Sequence, residues 1–216
     1  MRVLVSGSTG QLGSVVVSGL QDQGMEVHCL VQNPENLGLL PVGDRQIFEG
    51  DLLRPETLQE PLVGVEAVIH CAGRGSYDRA DRAAMEAVNV DGTRHLLDAA
   101  CKAGVRRFVH SSSIATLGYV EHQGEGDETN AYNWGGLGVD YFDTQKTAED
   151  LVMSEGGLEV LALNPGIVLG RGDKGAGGGR ILLDLYRGRV PGIPSGATTL
   201  ANLEDVASGH IAALEK

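Results

Sequence analysis

Short apolar runs alternate with stretches of helical periodicity along the whole chain. The runs Arg2–Ser6, Glu26–Val31, Arg45–Glu49, Ala67–His70, Phe108–Ser111 and Glu159–Leu163 are bounded by turn-forming or charged residues, as buried strands are. Between them, apolar positions three and four apart predict helices at Gln11–Gln23, Glu56–Pro61, Arg79–Ala103 and Tyr141–Glu155. A short helix is expected near Ile181–Arg187 and a last one over Leu203–Glu215. Strands separated by helices need crossover connections, which implies an α/β class with a doubly wound parallel sheet covered on both faces. In such sheets ligands sit beyond the carboxyl ends of the strands, so chemistry is sought in the residues after each strand.

The first of these junctions is the most informative. The strand Arg2–Ser6 runs into Gly7, Ser8, Thr9, Gly10, Gln11, Leu12 and Gly13, with glycines three apart and helical periodicity following. One glycine makes the turn, the next clears room for a pyrophosphate, and the third lets the helix pack on the strand. The helix N-terminus then presents free N–H groups to the anion. A mononucleotide P-loop is disfavoured, because Ser14 and Val15 stand where Lys-Ser/Thr would be required. Residues 1–165 are therefore expected to form a dinucleotide-binding domain.

The formal net charge of -12 disfavours nucleic acid and anionic membranes as partners. No apolar run is long enough to span a bilayer. Cys29, Cys71 and Cys101 are odd in number and widely spaced, which suggests buried thiols in a reducing, cytoplasmic compartment. No second His or Cys stands at ligand spacing from His70, so no metal site is expected, and His28, His70 and His110 read as packed strand histidines. Two long connections, 119–138 and 166–202, follow strand ends and are expected to contact substrate.

Eight motifs in order give the chain a family resemblance. They are Gly7–Gly13, Gly50-Asp51-Leu52, His70-Cys71-Ala72-Gly73, Asn89-Val-Asp-Gly-Thr93, Ser111–Ser113 up to Gly118, Tyr141 with Ala148-Glu149, Asn164-Pro165-Gly166, and Leu203-Glu-Asp205-Val-Ala207. The chain resembles an extended short-chain dehydrogenase/reductase of the NAD-dependent epimerase/dehydratase type, in its dihydroflavonol-reductase-like branch. That resemblance implies a Rossmann-type sheet and NADP or NAD as cofactor. The cofactor would be held by Gly7–Gly13, Gln32, Asp51, Leu52, Cys71, Ala72, Gly73, Asn89, Tyr141, Pro165, Gly166 and Val168. Val31-Gln32-Asn33 offers neither the acid that binds a ribose 2′-hydroxyl nor the Arg that accepts a 2′-phosphate. Relatives with Arg in place of Gln32 use NADP, and the resemblance favours it here. Asp51 would bond the adenine, with a turn or cap residue as the bland alternative.

By the same resemblance Tyr141 is the acid/base, Ser113 orients a carbonyl, and Asn89 holds a helix-bound water or relay. The family pattern wants Lys four residues after the Tyr, and Gln145 stands there. Lys146 lies five residues on, about 140° around the helix, and should face elsewhere unless the helix bulges. A unit charge at ~4 Å is worth about 4 kcal/mol at an effective dielectric of 20. Its loss would raise the tyrosine pKa by up to roughly three units. The function expected is oxidation or reduction at a carbonyl/alcohol group of a small molecule, weakened by Gln145. A nucleotide-sugar epimerase/dehydratase and a non-catalytic dinucleotide-binding protein are the alternatives.

Family members usually continue well beyond the Asp205-Val-Ala207 motif, so residues 166–216 would be an incomplete C-terminal substrate region with a returning helix. The resemblance also implies a homodimer through Arg79–Ala103 and Tyr141–Glu155. Burial against the sheet explains the apolar spacing of Met85, Val88, Leu96 and Leu97 equally well.

Overall fold

The structure, a computed structural model, describes residues 1–43, 45–120, 124–173, 178–192 and 196–215. Parts of both long connections, residues 121–123 in the first and 174–177 and 193–195 in the second, lie outside the described residues.

Six strands, β1 (Arg2–Ser6), β2 (Glu26–Val31), β3 (Gln46–Glu49), β4 (Ala67–His70), β5 (Arg107–Ser111) and β6 (Glu159–Leu163), form one parallel sheet. Their order is β3-β2-β1-β4-β5-β6, the doubly wound arrangement whose order reverses between β1 and β4. Register aligns Ser6 with His70 and His70 with His110, so the strands bearing the candidate site end at one level.

Alternation within the strands separates two cores. Val3 and Val5 of β1 face helix α1 (Gln11–Asp22), joining Val16, Val17 and Leu20. Leu4 turns to the other face with Val68 and Phe108, against Leu96 and Leu97 of α3 (Gly92–Ala103) and Val152 of α4 (Asp140–Met153). Met85, Leu96 and Leu97 are thus buried within the chain itself.

Two expected helices differ from the structure. Over Glu56–Pro61 there are two 3₁₀ turns, Pro55–Leu58 and Glu60–Leu62, because Pro61 has no N–H to continue an α-helix. Arg79–Ala103 is not one helix. Asp78 caps a 3₁₀ turn at Arg79–Asp81, α2 (Arg82–Met85) follows, and a π-helical segment at Glu86–Asp91 leads into α3. Periodicity over a long window cannot register the extra residue of a π turn, a feature frequent at functional sites.

The C-terminal stretch adds a parallel pair, β7 (Ile167–Leu169) with β8 (Leu200–Asn202), and two helices, α5 (Gly178–Tyr186) and α6 (Leu203–Ala212). Neither strand was expected from the sequence, since three-residue runs carry no period. The Asn202 side chain accepts the Glu204 and Asp205 N–H groups at 2.7 and 3.3 Å, which explains why α6 starts there. Ala207 and Ile211 of α6, with Leu214 just after it, complete the core over α1, so this helix belongs to the sheet's own packing.

Candidate active site

The glycine turn is closed against its surroundings at backbone distance. Gly7 has φ +66°, and a Cβ there would lie 2.6 Å from Ala72 N and 2.7 Å from the Cys71 carbonyl carbon. A Cβ at Gly13 would collide with the Gly7 backbone, so the helix sits directly on the turn. No side chain caps α1, and its first N–H to find a carbonyl in the turn is that of Ser14, on Gly10 at 3.1 Å. The Ser8 hydroxyl is tied to the Leu30 carbonyl at 3.1 Å, and the Gln11 amide reaches the Gly170 carbonyl at 3.2 Å.

At the ends of β2 and β3, Asp51 Oδ1 accepts the Leu53 N–H at 2.9 Å and the Gln32 amide at 3.4 Å. Arg54 Nε lies 3.6 Å from Asp51 Oδ2. Asp51 is therefore a turn residue that also holds Gln32. The Leu52 side chain is core, and its carbonyl receives His95 Nδ1 at 2.7 Å.

Beyond β4 and β5, one cleft is lined by Cys71, Ala72, Gly73, Asn89, Tyr141 and Gln145, all marked by the sequence. Arg74, Gly75, Thr93, His110, Ser111, Ser112 and Ala148 also line it, and sequence reasoning had missed them as site residues. Ser113, Pro165, Gly166 and Val168 are not in its lining. Ser113 nonetheless reaches Tyr141 from the turn after β5, and its hydroxyl opposes the effect of burial, which pushes the Tyr141 phenol above its usual value. Pro165 gives its carbonyl to the Ile114 N–H at 2.9 Å, Gly166 packs on the Thr199 backbone, and Val168 lies in β7.

Asn89, on the π segment, is a clamp. Its Oδ1 accepts the Arg74 N–H at 2.7 Å, and its Nδ2 donates to the Arg74 carbonyl at 3.0 Å and to Thr144 Oγ1 at 3.2 Å. It thereby fixes the backbone after β4 to α4. Its own carbonyl accepts the Thr93 hydroxyl at 2.5 Å.

That bond fixes a proton. Thr93 has one hydroxyl proton, given to the Asn89 carbonyl, so the 2.9 Å contact to His70 must be donated by His70 Nε2. His70 Nδ1 then accepts from Ser6 Oγ at 2.6 Å. Burial holds this ring uncharged, its pKa far below the histidine range.

His110, beside His70 with ring centroids 5.4 Å apart, has neither ring nitrogen hydrogen-bonded among the described residues. Burial, and secondarily His210, lowers its pKa to about 4. In the unfolded chain the ring takes a proton near 6.5. Between these values the unfolded state binds the extra proton, so stability is full above about pH 6.5 and is lost as pH falls through about 4. The full gap corresponds to about 3 kcal/mol at 1.36 kcal/mol per unit. Urea unfolding at stepwise pH is expected to show this loss, and a flat stability from pH 7 to 4 would refute a neutral buried ring.

The helix α4 runs without a bulge. Gln145 is buried with Ala148 and Val152, while Lys146 turns outward to Asp150 at 2.5 Å and Glu149 at 4.0 Å. The Gln145 amide has no hydrogen-bond partner among the described residues. Glu149, one turn further, is a hub missed as such: its Oε2 accepts Ser112 Oγ at 2.6 Å, Thr116 Oγ1 at 2.8 Å and Asn164 Nδ2 at 2.5 Å.

Residues 3–216 match the NAD dependent epimerase/dehydratase family. The chain is 33% identical over 219 residues to sterol demethylase protein B of Methylococcus capsulatus, covering 100% of this chain and 66% of that one. It is 32% identical to a putative dihydroflavonol 4-reductase of Synechocystis, covering 98% and 62%. UDP-glucose 4-epimerase of Thermus thermophilus, solved in complex with NAD, superposes with a TM-score of 0.86 at 26% identity, covering 100% of this chain and 75% of that one. The chain thus spans about two thirds or less of the length of these curated relatives.

Proposed function

Because the chain belongs to the NAD-dependent epimerase/dehydratase family, we propose that it is an oxidoreductase that binds a nicotinamide dinucleotide and acts at a carbonyl or alcohol carbon of a small molecule. The observation that carries this reading is the half-buried Tyr141 phenol beside Ser113, set in a cleft lined by the glycine-bearing backbone after β4.

The residues present fit the cofactor. Gly73 faces the cleft, where a Cβ would lie 3.6 Å from Asn89 Oδ1 and 3.9 Å from Gln145 Nε2. The Gly7–Gly13 turn and the free N–H groups at the start of α1 would hold the pyrophosphate. Gln32 and Asp51 would meet the adenosine end, Cys71–Gly73 and Tyr141 the nicotinamide end, and the Gln145 amide a ribose hydroxyl. When bound, the nicotinamide supplies or takes up a hydride. Tyr141 holds the proton that passes to or from the substrate oxygen, and Ser113 orients that oxygen. The half-exposed Arg54 guanidinium beside Asp51 and Gln32 supports NADP over NAD. The reductase among the relatives supports a carbonyl substrate over a nucleotide sugar.

A second reading, a dinucleotide-binding protein without turnover, is favoured by one observation: Lys146 is paired outward and the turn after Tyr141 offers an amide. Calorimetric titration with NADPH, NADP, NADH and NAD, followed by a carbonyl panel, separates the two. Micromolar binding with the NADP pair tighter is expected. Absence of binding to all four would sink both readings, and binding without any turnover would leave the second.

A further inference from the structure

We propose that Tyr77 is a substrate-stacking residue: its exposed ring, beside the Tyr141 phenol, selects flat unsaturated ring carbonyls over acyclic or saturated ones. This rests on the carbonyl/alcohol reading above and adds to it the class of carbonyl taken.

The chain has one tryptophan, five tyrosines and three phenylalanines. Five of these rings touch in one run. Centroids lie 4.9 Å apart for Tyr119 and Trp134, 5.4 Å for Trp134 and Phe142, 6.1 Å for Phe142 and Tyr141, and 6.2 Å for Tyr141 and Tyr77. The run starts in the connection after β5, crosses the first turn of α4 and ends on the segment after β4. Tyr119, Trp134 and Phe142 hold that connection against α4, and Trp134 Nε1 donates to the Leu117 carbonyl at 2.7 Å. Tyr77 has no such task. It is 81% exposed, its one ring contact among the described residues is Tyr141 at an interplanar angle of 67°, and its hydroxyl has no partner among them.

The backbone that carries this ring is pinned on both sides. Ser76 donates its hydroxyl to Asp81 Oδ2 at 2.7 Å and accepts the Asp78 N–H at 3.1 Å, while Asp78 Oδ1 accepts the Ala80 N–H at 2.9 Å. Upstream, Asn89 clamps Arg74, and a Cβ at Gly75 would lie 3.8 Å from Tyr141 Cε2. A large ring held in water on fixed backbone, beside the acid/base residue, is ready to receive a ligand with little further ordering.

The charges on the same segment are already matched. Arg74 donates to Asp81 Oδ1 at 2.8 Å, and Arg82 lies 3.0 Å from Asp140. The rim therefore offers a π face rather than a free charge. Aromatic pairs attract when offset or edge-on at about 4.5–7 Å between centroids, the range this run already keeps. A flat ring laid on Tyr77 adds one member to the run and brings a carbonyl borne on that ring next to the Tyr141 phenol and the Ser113 hydroxyl. A saturated ring or an open chain of the same size forgoes that stacking.

The single tryptophan, Trp134, stands in the run and reports on it. Its fluorescence lifetime is followed while naphthyl methyl ketone is added, with and without NADP, which carries no hydride to transfer. The saturated counterpart, decalinyl methyl ketone, is read by displacement. A saturable shortening of the lifetime is expected, with the saturated ketone binding roughly 2- to 10-fold more weakly. Tyr77→Ala should weaken the naphthyl ketone by about the same factor, and Tyr77→Phe should keep its affinity. Tyr186→Ala removes an exposed tyrosine outside the run and should change nothing. Equal affinity for the two ketones, no loss in Tyr77→Ala, or an equal loss in Tyr186→Ala overturns the proposal. With NADPH, Tyr77→Ala should raise KM for the naphthyl ketone and leave kcat in place, since the ring touches no reacting atom. Failure of the underlying reading has a different signature: the naphthyl ketone would still bind through Tyr77, but no ketone in the panel would be turned over.

Discussion

Gly7→Ala is expected to destabilise the chain by about 2–4 kcal/mol, the sum of a left-handed backbone penalty and overpacking. The two parts can be separated. Gly7 has φ +66°, and its added Cβ would stand 2.6–2.8 Å from the Ala72 and Cys71 backbone, which cannot rotate away as a side chain can. Gly24 has a similar φ of +71° with nothing within 4 Å of its Cβ position. Gly24→Ala should therefore show the conformational part alone, about 1 kcal/mol. Urea unfolding of both variants decides the matter. Equal costs would mean that the close approach of the β1 turn to the segment after β4 is not what requires glycine.

Glu149→Ala should cost about 3 kcal/mol, as expected when several buried donors lose a charged acceptor. One carboxylate oxygen takes hydrogen bonds from Ser112, Thr116 and Asn164, on the chain leaving β5, the turn beyond it and the end of β6. Ser112 and Thr116 are buried, and water cannot readily replace the acceptor. Glu149→Gln keeps an acceptor oxygen without the charge and should lose only about 1 kcal/mol. The gap between the two variants is the discriminating measurement. Were alanine no worse than an exposed helix pair, about 0.5 kcal/mol, the hub would have no structural role. The carbonyl of Ser113 accepts from the Thr116 N–H and the Asn164 amide, so the same network sets the turn that brings Ser113 to Tyr141.

The strand–helix alternation, the glycine turn and the Tyr141–Gln145 spacing were legible because each is local. A strand's core face, a turn of positive φ and the face of a helix are set by residues a few positions apart. The sheet strands and α1 accordingly lie within a residue or two of their expected ranges. The outward turn of Lys146 followed from helical geometry alone, and the pair with Asp150 bears it out.

What the sequence could not reveal depends on partners distant along the chain. The amide of Asn89 closes on the Arg74 backbone, and Glu149 gathers donors from two strand ends. The His70 tautomer is dictated by one threonine proton twenty-three positions away. The packing of α6 onto α1 belongs to the same class, since a helix shows which stripe is apolar but not which surface will cover it. The sequence by itself determined the six sheet strands in their order along the chain and the glycine turn after the first of them, because these follow from backbone sterics and hydrophobic period. Only the tertiary structure decided which polar groups are satisfied and which, like the amide of Gln145, are left facing the cleft, because hydrogen-bond partners are assigned by proximity in space.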